Sequence, residues 1–421
     1  MKILVLGGGK AQLSIIKKAK KMGHQVIVSD YYEDAPGKEL ADFSTNTSTF
    51  DIEGNIKAAK NYDADAVLTI GTDQPVYTAA AVNEELNLPN FLSLETAKAV
   101  TNKKIMKNTF QKNNIPSVKY KIIAEDFADK DLKDFSFPVV VKPLDSQGQR
   151  GVFKLNSISE IRKRFAEVLQ FSRENEILVE EYYQSEEITL SGWVIDSELN
   201  ILTITDRITH QNKEHIGICS AHVFPSKFLQ DYYAEIIKIS DEIVKSFTIK
   251  DGPVYFQLLI GENGVKVNEI ACRIGGAYEA FFIPYLTGVD ILELMINLSL
   301  GKEKYSAALK ANQKQFKNYD ILENNKWLSV QLFFAEAGKI AEITDEAELK
   351  SLPEVHWAGL NFDKGDEIAE IENATERAGY FIVSADSKSK LKNKIKNVYD
   401  KLKIYNAKGE NLIIREIGEK F

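Results

Sequence analysis

Residues 253–276 read PVYFQLLIGENGVKVNEIACRIGG. Two runs rich in β-branched and aromatic residues flank Glu262-Asn263-Gly264, a turn signal, so the segment is expected to form an antiparallel hairpin. A register symmetric about Asn263 sets Gln257 directly opposite Glu269 on one face, where two oxygen-bearing side chains converge. Arg273 stands four residues beyond Glu269, just before a glycine pair. A carboxylate and an amide oxygen are hard ligands of the kind that hold Mg2+ against phosphate oxygens, and an arginine supplies a bidentate donor to an anion.

Upstream, FPVVVKPLDSQGQRGVFKL (137–155) reads as a strand ending in Lys142, a polar glycine-bearing loop and a returning strand from Gly151, a hairpin with a long mobile tip. EILVEEYY (176–183) is a strand with three carboxylates around the apolar Ile177–Val179. Residues 94–114 are expected to be helical, with Lys103 and Lys104 early and an end near Asn113-Asn114. Taken singly these groups say little. Together they supply what a nucleoside triphosphate site requires: lysines for the phosphates, a glycine loop whose N–H groups approach them, and oxygen ligands for a divalent cation. No GxxxxGK[ST] P-loop occurs, nor the HRD and DFG signatures of protein kinases.

The leading segment alternates strands and helices. KILVLGGG (2–9), QVIVSD ending at Asp30 and AVLTIGTD ending at Asp73 imply a parallel sheet with polar groups at the carboxyl ends of its strands. Gly7 and Gly9 supply the start of a dinucleotide-binding GxGxxG, but position 12 is Gln12, which leaves a nicotinamide-dependent oxidoreductase as a minor rival reading. Residues 306–421 show a strand, WLSVQLFFA, and a lysine-rich helix around 387–403 whose charges read as a solvated face; no catalytic cluster is visible there.

Composition bounds the function. The chain has 421 residues, enough for two to four domains, and 53 Lys+Arg against 61 Asp+Glu give a net charge of −8, which argues against broad nucleic-acid binding. Cys219 and Cys272 lack CxxC spacing, which fits a reducing, cytoplasmic location. The apolar run Ile3–Leu6 is too short for a secretory core, and the apolar stretch after Ala280 is broken by Asp290 and Glu293, so no membrane association is expected. His215, Cys219 and His222 lie close in sequence but match no known zinc spacing; Cys272 reads as a structural thiol.

In the order TNKKIMKNTFQKNNIPSVKY, FPVVVKPLDSQGQRGV, ILVEEYYQSEEITLSGWV and GPVYFQLLIGENGVKVNEIACRIGG, the chain resembles the ATP-grasp superfamily, specifically carboxylate–amine ligases such as the L-amino-acid ligases, with biotin carboxylase and the purine-pathway ligases more distant. The resemblance implies an α/β (α+β overall) ATP-grasp fold: a Rossmann-like domain at 1–97, the grasp at 98–305 with a mobile lid at about 120–180, and a small mixed α+β domain at 306–421. It makes Lys103 and Lys142 the lysines on the ATP phosphates. Gln147, Gly148 and Gly151 fall in the phosphate cover, Glu180, Glu181, Tyr182 and Tyr183 in the strand whose backbone reads adenine, and Glu187 at the ribose position. Gln257 and Glu269 match the Mg2+ (or Mn2+) positions, and Arg273 the arginine facing the transferred phosphoryl group, with Lys142 beside it. Asp73, His222, which with Pro225 matches a His-x-x-Pro stretch, and Arg207 are candidate substrate contacts. Small carboxylate and amine substrates and a homodimer are the partners implied. Gln257 in place of an acid, Ala271 in place of an asparagine and Gln149 in place of a serine depart from the family pattern. Bicarbonate-dependent carboxylation or carbamoyl-phosphate chemistry, and an ATP sensor without turnover, are the alternative readings.

Overall fold

The computed structural model describes residues 1–210 and 215–415. Four short apolar runs, β1 (Lys2–Leu6), β2 (Gln25–Ser29), β3 (Phe43–Thr45) and β4 (Ala66–Leu68), pair in parallel in the order β3-β2-β1-β4. Ile3 to Leu6 are fully buried, as an aliphatic strand covered on both faces requires. The chain's own side chains close the turn after β1. The Gly8 N–H donates to Asp30 Oδ2 at 2.7 Å, and Gln12 Nε2 donates to the Ile70 carbonyl at 2.6 Å. A Cβ on Gly7 would stand 3.0 Å from Gln12 Cδ, so a side chain fills the space through which a pyrophosphate approaches a dinucleotide-binding turn. The oxidoreductase reading fails on Gln12.

The helical stretch expected over 94–114 is two helices, Leu94–Thr101 and Lys103–Lys112. Asn102 divides them: its backbone is extended and its Oδ1 accepts the N–H groups of Lys104 and Ile105 at 3.1 and 3.2 Å, an N-cap. The second helix therefore begins at Lys103, with Lys107 on the same face one turn later.

Strands β5 (Tyr120–Ala124), β6 (Val139–Pro143), β7 (Phe153–Leu155) and β8 (Glu176–Glu181) form an antiparallel sheet in the order β5-β8-β6-β7, with an apolar core of its own around Val141, Phe165 and Val179. The larger sheet is also antiparallel. It takes β9 (Ser185–Ile195), β10 (Glu198–His210), β11 (Ile218–Phe224), β12 (Gly252–Gly261) and β13 (Gly264–Ala271), then β14 (Trp327–Phe333), β15 (Val355–Leu360) and β16 (Gly379–Ala385), in the order β13-β12-β9-β10-β11-β14-β16-β15. Its last three strands come from beyond residue 305. The parallel first sheet followed by antiparallel sheets is the mixed α/β class expected.

Gly261 pairs with Gly264, so the decisive turn is the two residues Glu262-Asn263, half a position earlier than expected. A bulge between Gln257 and Leu258 leaves Asn268 without a partner across the ladder and returns Gln257 to its place opposite Glu269. The two offsets cancel. One continuous core joins Ile3 and Val28 of the first sheet to Phe256 and Ile270 of the hairpin and to Val330 and Ile382. At this junction the Gly71 N–H donates to the Ile274 carbonyl at 3.0 Å, and a Cβ on Gly276 would lie 2.4 Å from the Gly71 oxygen, an approach only glycine permits.

Candidate active site

Two cavities meet between the sheets. The smaller, about 260 Å³, is a slot between β6–β8 and the large sheet, with Val118, Val140 and Leu259 on its apolar faces and the backbone of Glu180–Tyr183 along one edge. The larger, about 700 Å³, draws its walls from the first sheet's loops, the cover loop after Lys142, the β12–β13 hairpin and the C-terminal strands. Lys142, Gln149, Val152, Arg207 and Asn268 line both, and form the seam.

The charges at the seam are interlocked. Lys142 Nζ lies 2.6 Å from Glu180 Oε2 and donates to Asn268 Oδ1 at 2.9 Å. Lys107 Nζ lies 2.6 Å from Glu180 Oε1 and donates to the Asn268 carbonyl at 3.0 Å. Lys103 Nζ lies 2.8 Å from Glu269 Oε1 and donates to the Ser146 carbonyl at 2.9 Å. Burial by itself would raise the pKa of Glu180, yet Lys107 and Lys142 hold it down at about 2. Glu269 is likewise held below its usual value against burial, chiefly by Lys103. Arg273 Nε donates to Asp73 Oδ1 at 2.6 Å, and Arg207 pairs with Glu187.

Gln257 Oε1 is buried without a hydrogen-bond donor, opposite Glu269. An orphaned amide oxygen beside a carboxylate fits one hard divalent cation. Among the described residues no group of three or more His, Cys, Asp or Glu is placed to hold a metal, so further ligands would come from phosphate oxygens and water.

The side chains along the slot's edge point elsewhere. Glu181 accepts the Ser136 N–H at 2.9 Å, the Tyr182 ring lies under Lys154 Nζ at 3.6 Å, and the Tyr183 hydroxyl donates to the Gly264 carbonyl at 2.9 Å. Backbone is what this edge offers the slot. The cover loop reaches both walls of the larger cavity: Gln147 Oε1 accepts the Asp73 N–H at 2.5 Å, and the Gly148 carbonyl accepts the Ala374 N–H at 3.0 Å. Gly148 and Gly151 both have positive φ, 71° and 70°.

His222 is buried on the wall of the larger cavity, with Nδ1 2.9 Å from Thr205 Oγ1 and Nε2 3.4 Å from Cys219 Sγ. Burial pushes its pKa down to about 4, so it is neutral near pH 7. Burial pushes the Cys272 thiol up to about 12, which fits a structural role.

All the expected site residues except Gly151 line these two cavities: Lys103, Lys142, Gln257, Glu269 and Arg273 at the larger cavity, Glu180, Glu181, Tyr182, Tyr183 and Glu187 at the slot, Gln147 and Gly148 in the loop after Lys142, and Asp73, His222 and Arg207 on the larger cavity's wall. Glu181 lines the slot through its backbone while its carboxylate leaves it, and Gly151 sits against Pro143 at the loop's base. Sequence reasoning missed Lys107, whose signal was its spacing of four from Lys103, and Asn268, exposed to the seam by the bulge. It also found nothing catalytic beyond residue 305, yet Asn361, Thr375 and Arg377 line the larger cavity. Tyr278, at φ 67° and stacked on Tyr380 with centroids 3.5 Å apart, was missed as well.

Residues 135–280 match the family model of the ATP-grasp domain, and residues 331–407 that of the L-amino acid ligase C-terminal domain 2. The chain is 25% identical over 331 residues to the phosphoribosylamine–glycine ligase of Pyrococcus horikoshii, covering 72% of this chain and 74% of that one. The crystal structure of the L-amino acid ligase from Bacillus licheniformis superposes with a TM-score of 0.80 at 19% identity, over 96% of this chain and 98% of that one. The phosphoribosylglycinamide synthetase of Anaerococcus prevotii superposes with a TM-score of 0.73 at 18% identity, over 96% and 99%.

Proposed function

We propose that this chain, whose residues 135–280 match the ATP-grasp domain and 331–407 the L-amino acid ligase C-terminal domain 2, is an ATP-dependent, L-amino-acid-ligase-like carboxylate–amine ligase with a division of labour between its two cavities. The slot takes the nucleoside of ATP, its base against the backbone of Glu180–Tyr183 and its ribose toward Glu187. Lys103 and Lys142 hold the phosphates, covered by Gln147, Gly148 and Gly151. The larger cavity takes a small carboxylate and an amine, with Asp73, His222 and Arg207 on its wall.

A carboxylate is a poor acylating agent because its leaving group would be oxide. Transfer of the γ-phosphoryl group of ATP onto one carboxylate oxygen gives an acyl phosphate and ADP; the amine then adds to the carbonyl, phosphate leaves, and the nitrogen gives up a proton. Glu269 and Gln257 would hold Mg2+ or Mn2+, which supplies charge neutralisation at the phosphate oxygens. Lys142 and Arg273 offset the negative charge that spreads over the transferring group, and the closed cover loop keeps water from the acyl phosphate. The observation that carries this reading is the seam, where Lys142 and Asn268 border both cavities at once. A cavity of about 700 Å³ is far larger than bicarbonate needs, which favours an organic acid over carboxylation. A cytoplasmic setting fits the two free, buried cysteines.

The test is ADP and phosphate release with Mg-ATP, screened against pools of amino acids, other small carboxylates and bicarbonate, with Glu269→Ala as control. Release that needs an acid and an amine together, and vanishes in the control, is the expected result. Release with bicarbonate alone would replace the reading with carboxylation.

A further inference from the structure

The larger cavity is charged in one direction. Lys103, Lys142, Arg207 and Arg273 each face a carboxylate, respectively Glu269, Glu180, Glu187 and Asp73. Both carboxylates on the cavity wall, Asp73 and Glu269, are thereby engaged. Among the described residues, Lys10 and Arg377 on the same wall have no carboxylate within ion-pair distance. Arg377 Nη2 donates to the Cys219 carbonyl at 3.1 Å, while its Nε is buried without a partner. Lys10 Nζ donates to the Leu360 carbonyl, and the next residue, Asn361, donates to the Arg377 carbonyl at 2.8 Å. Both cations therefore gather where the first glycine turn meets the C-terminal strands. Glu346 lies behind Leu360, its carboxylate taken by the Leu360 N–H and by Lys350.

We propose that this end of the cavity is an anion subsite: the substrate pair brings an anionic group that does not react, a second carboxylate or a phosphate, and Arg377 and Lys10 bind it. The reading rests on the ligase assignment for the cavity's use, and it narrows the substrates from amino acids at large to acidic ones or phosphorylated amines. A protein of net charge −8 that leaves Lys10, Arg377 and also Arg150, whose Nε donates to the Gln147 carbonyl at 3.2 Å, without a carboxylate partner among the described residues on one cavity wall has a site arranged for an anion.

The experiment compares isosteric probes, glutamate with glutamine and phosphoserine with serine. Each is titrated calorimetrically against the enzyme with Mg-ADP and then assayed for ADP release with Mg-ATP and a pool of partner acids and amines. At least one acidic member is expected to bind and turn over at least about tenfold better than its neutral isostere, the scale of one charge-assisted hydrogen bond. Arg377→Gln removes that preference and Arg377→Lys restores part of it. Lys10→Met, at an exposed position, weakens it in a fold that Arg377→Gln could disturb. Equal binding of acid and neutral isostere in both pairs overturns the subsite. Equal turnover in both pairs also overturns it and leaves the ligase assignment standing. Charge-selective binding that Arg377→Gln abolishes, without ADP release from any pair, upholds the subsite and counts against the ligase.

Discussion

The two cavities that meet at Lys142 are built in opposite ways. The slot is made mostly from strands: the edge at Glu180–Tyr183, the strand ending in Lys142, the start of β9, Arg207–Thr209 of β10 and the β12–β13 hairpin, with Glu180 held between Lys107 and Lys142. The larger cavity is stitched from loops far apart in sequence, Lys10 bonding to Leu360 across 350 positions, and keeps cations uncommitted. On the proposed assignment the slot's occupant, a nucleoside triphosphate, is the same molecule in every turnover, so a fixed slot suits it. A pocket assembled from separate loops can change its occupant without disturbing the slot.

The largest effect expected from this contrast is at Lys107, which touches neither cavity. Replacing it in Lys107→Met leaves Glu180 buried with one cation instead of two, and a loss of about 3–5 kcal/mol in urea denaturation is expected. A loss below about 1 kcal/mol would mean the slot's wall does not depend on the triad. Next is Glu269→Ala, for which ADP release should fall on the order of 10²–10³-fold with the fold intact by circular dichroism. Activity within tenfold of the parent would separate the seam from the chemistry. Gly276→Ala tests the junction under the larger cavity. Its new Cβ meets the Gly71 carbonyl, and about 1–3 kcal/mol of strain is expected, read as a lowered denaturation midpoint.

The smallest effect, per unit of pH, distinguishes the cavities by their response to acid. In the unfolded chain His222 takes up its proton near the ordinary imidazole value of 6.5, but in the fold only near 4, so the unfolded state binds more protons between these values and stability is lost as pH falls through that window. Glu180 is also lowered in the fold, from 4.5 to about 2, so its contribution is present above 4.5 and is lost only as pH falls toward 2. Acid should therefore weaken the larger cavity's wall first. Stability of the parent should fall between pH 6.5 and 4 by up to about 1.4 kcal/mol per pH unit relative to His222→Gln. Parallel curves for the two proteins across that window would remove His222 as the cause.

The same contrast decides what could be read from the sequence. The strand edge of the slot, the lysine ending β6 and the Gln257–Glu269 pair were legible because each lies in a local pattern: alternating strands, a turn signal and a lysine at a strand end. The pairing of Gln257 with Glu269 was right although the turn was misplaced, since the bulge at Asn268 compensated by one residue. The break at Asn102 was missed because capping depends on a single side chain inside an otherwise helical stretch. Arg377 and Lys10 carried no signal at all. Nothing local in ATERAG or GGGKAQ states that the two segments approach one another, and only the closure of the large sheet by its C-terminal strands brings them together.

The cover loop after Lys142 touches the first unit through Gln147 and Asp73 and the C-terminal unit through Gly148 and Ala374. It cannot lift without releasing both sides of the pocket beneath it. On the proposed assignment nucleotide and substrate both lie against this loop, and whatever factor one gains or loses in affinity when the other is bound, the other gains or loses in return. The order in which the two arrive is then a matter of rates and concentrations.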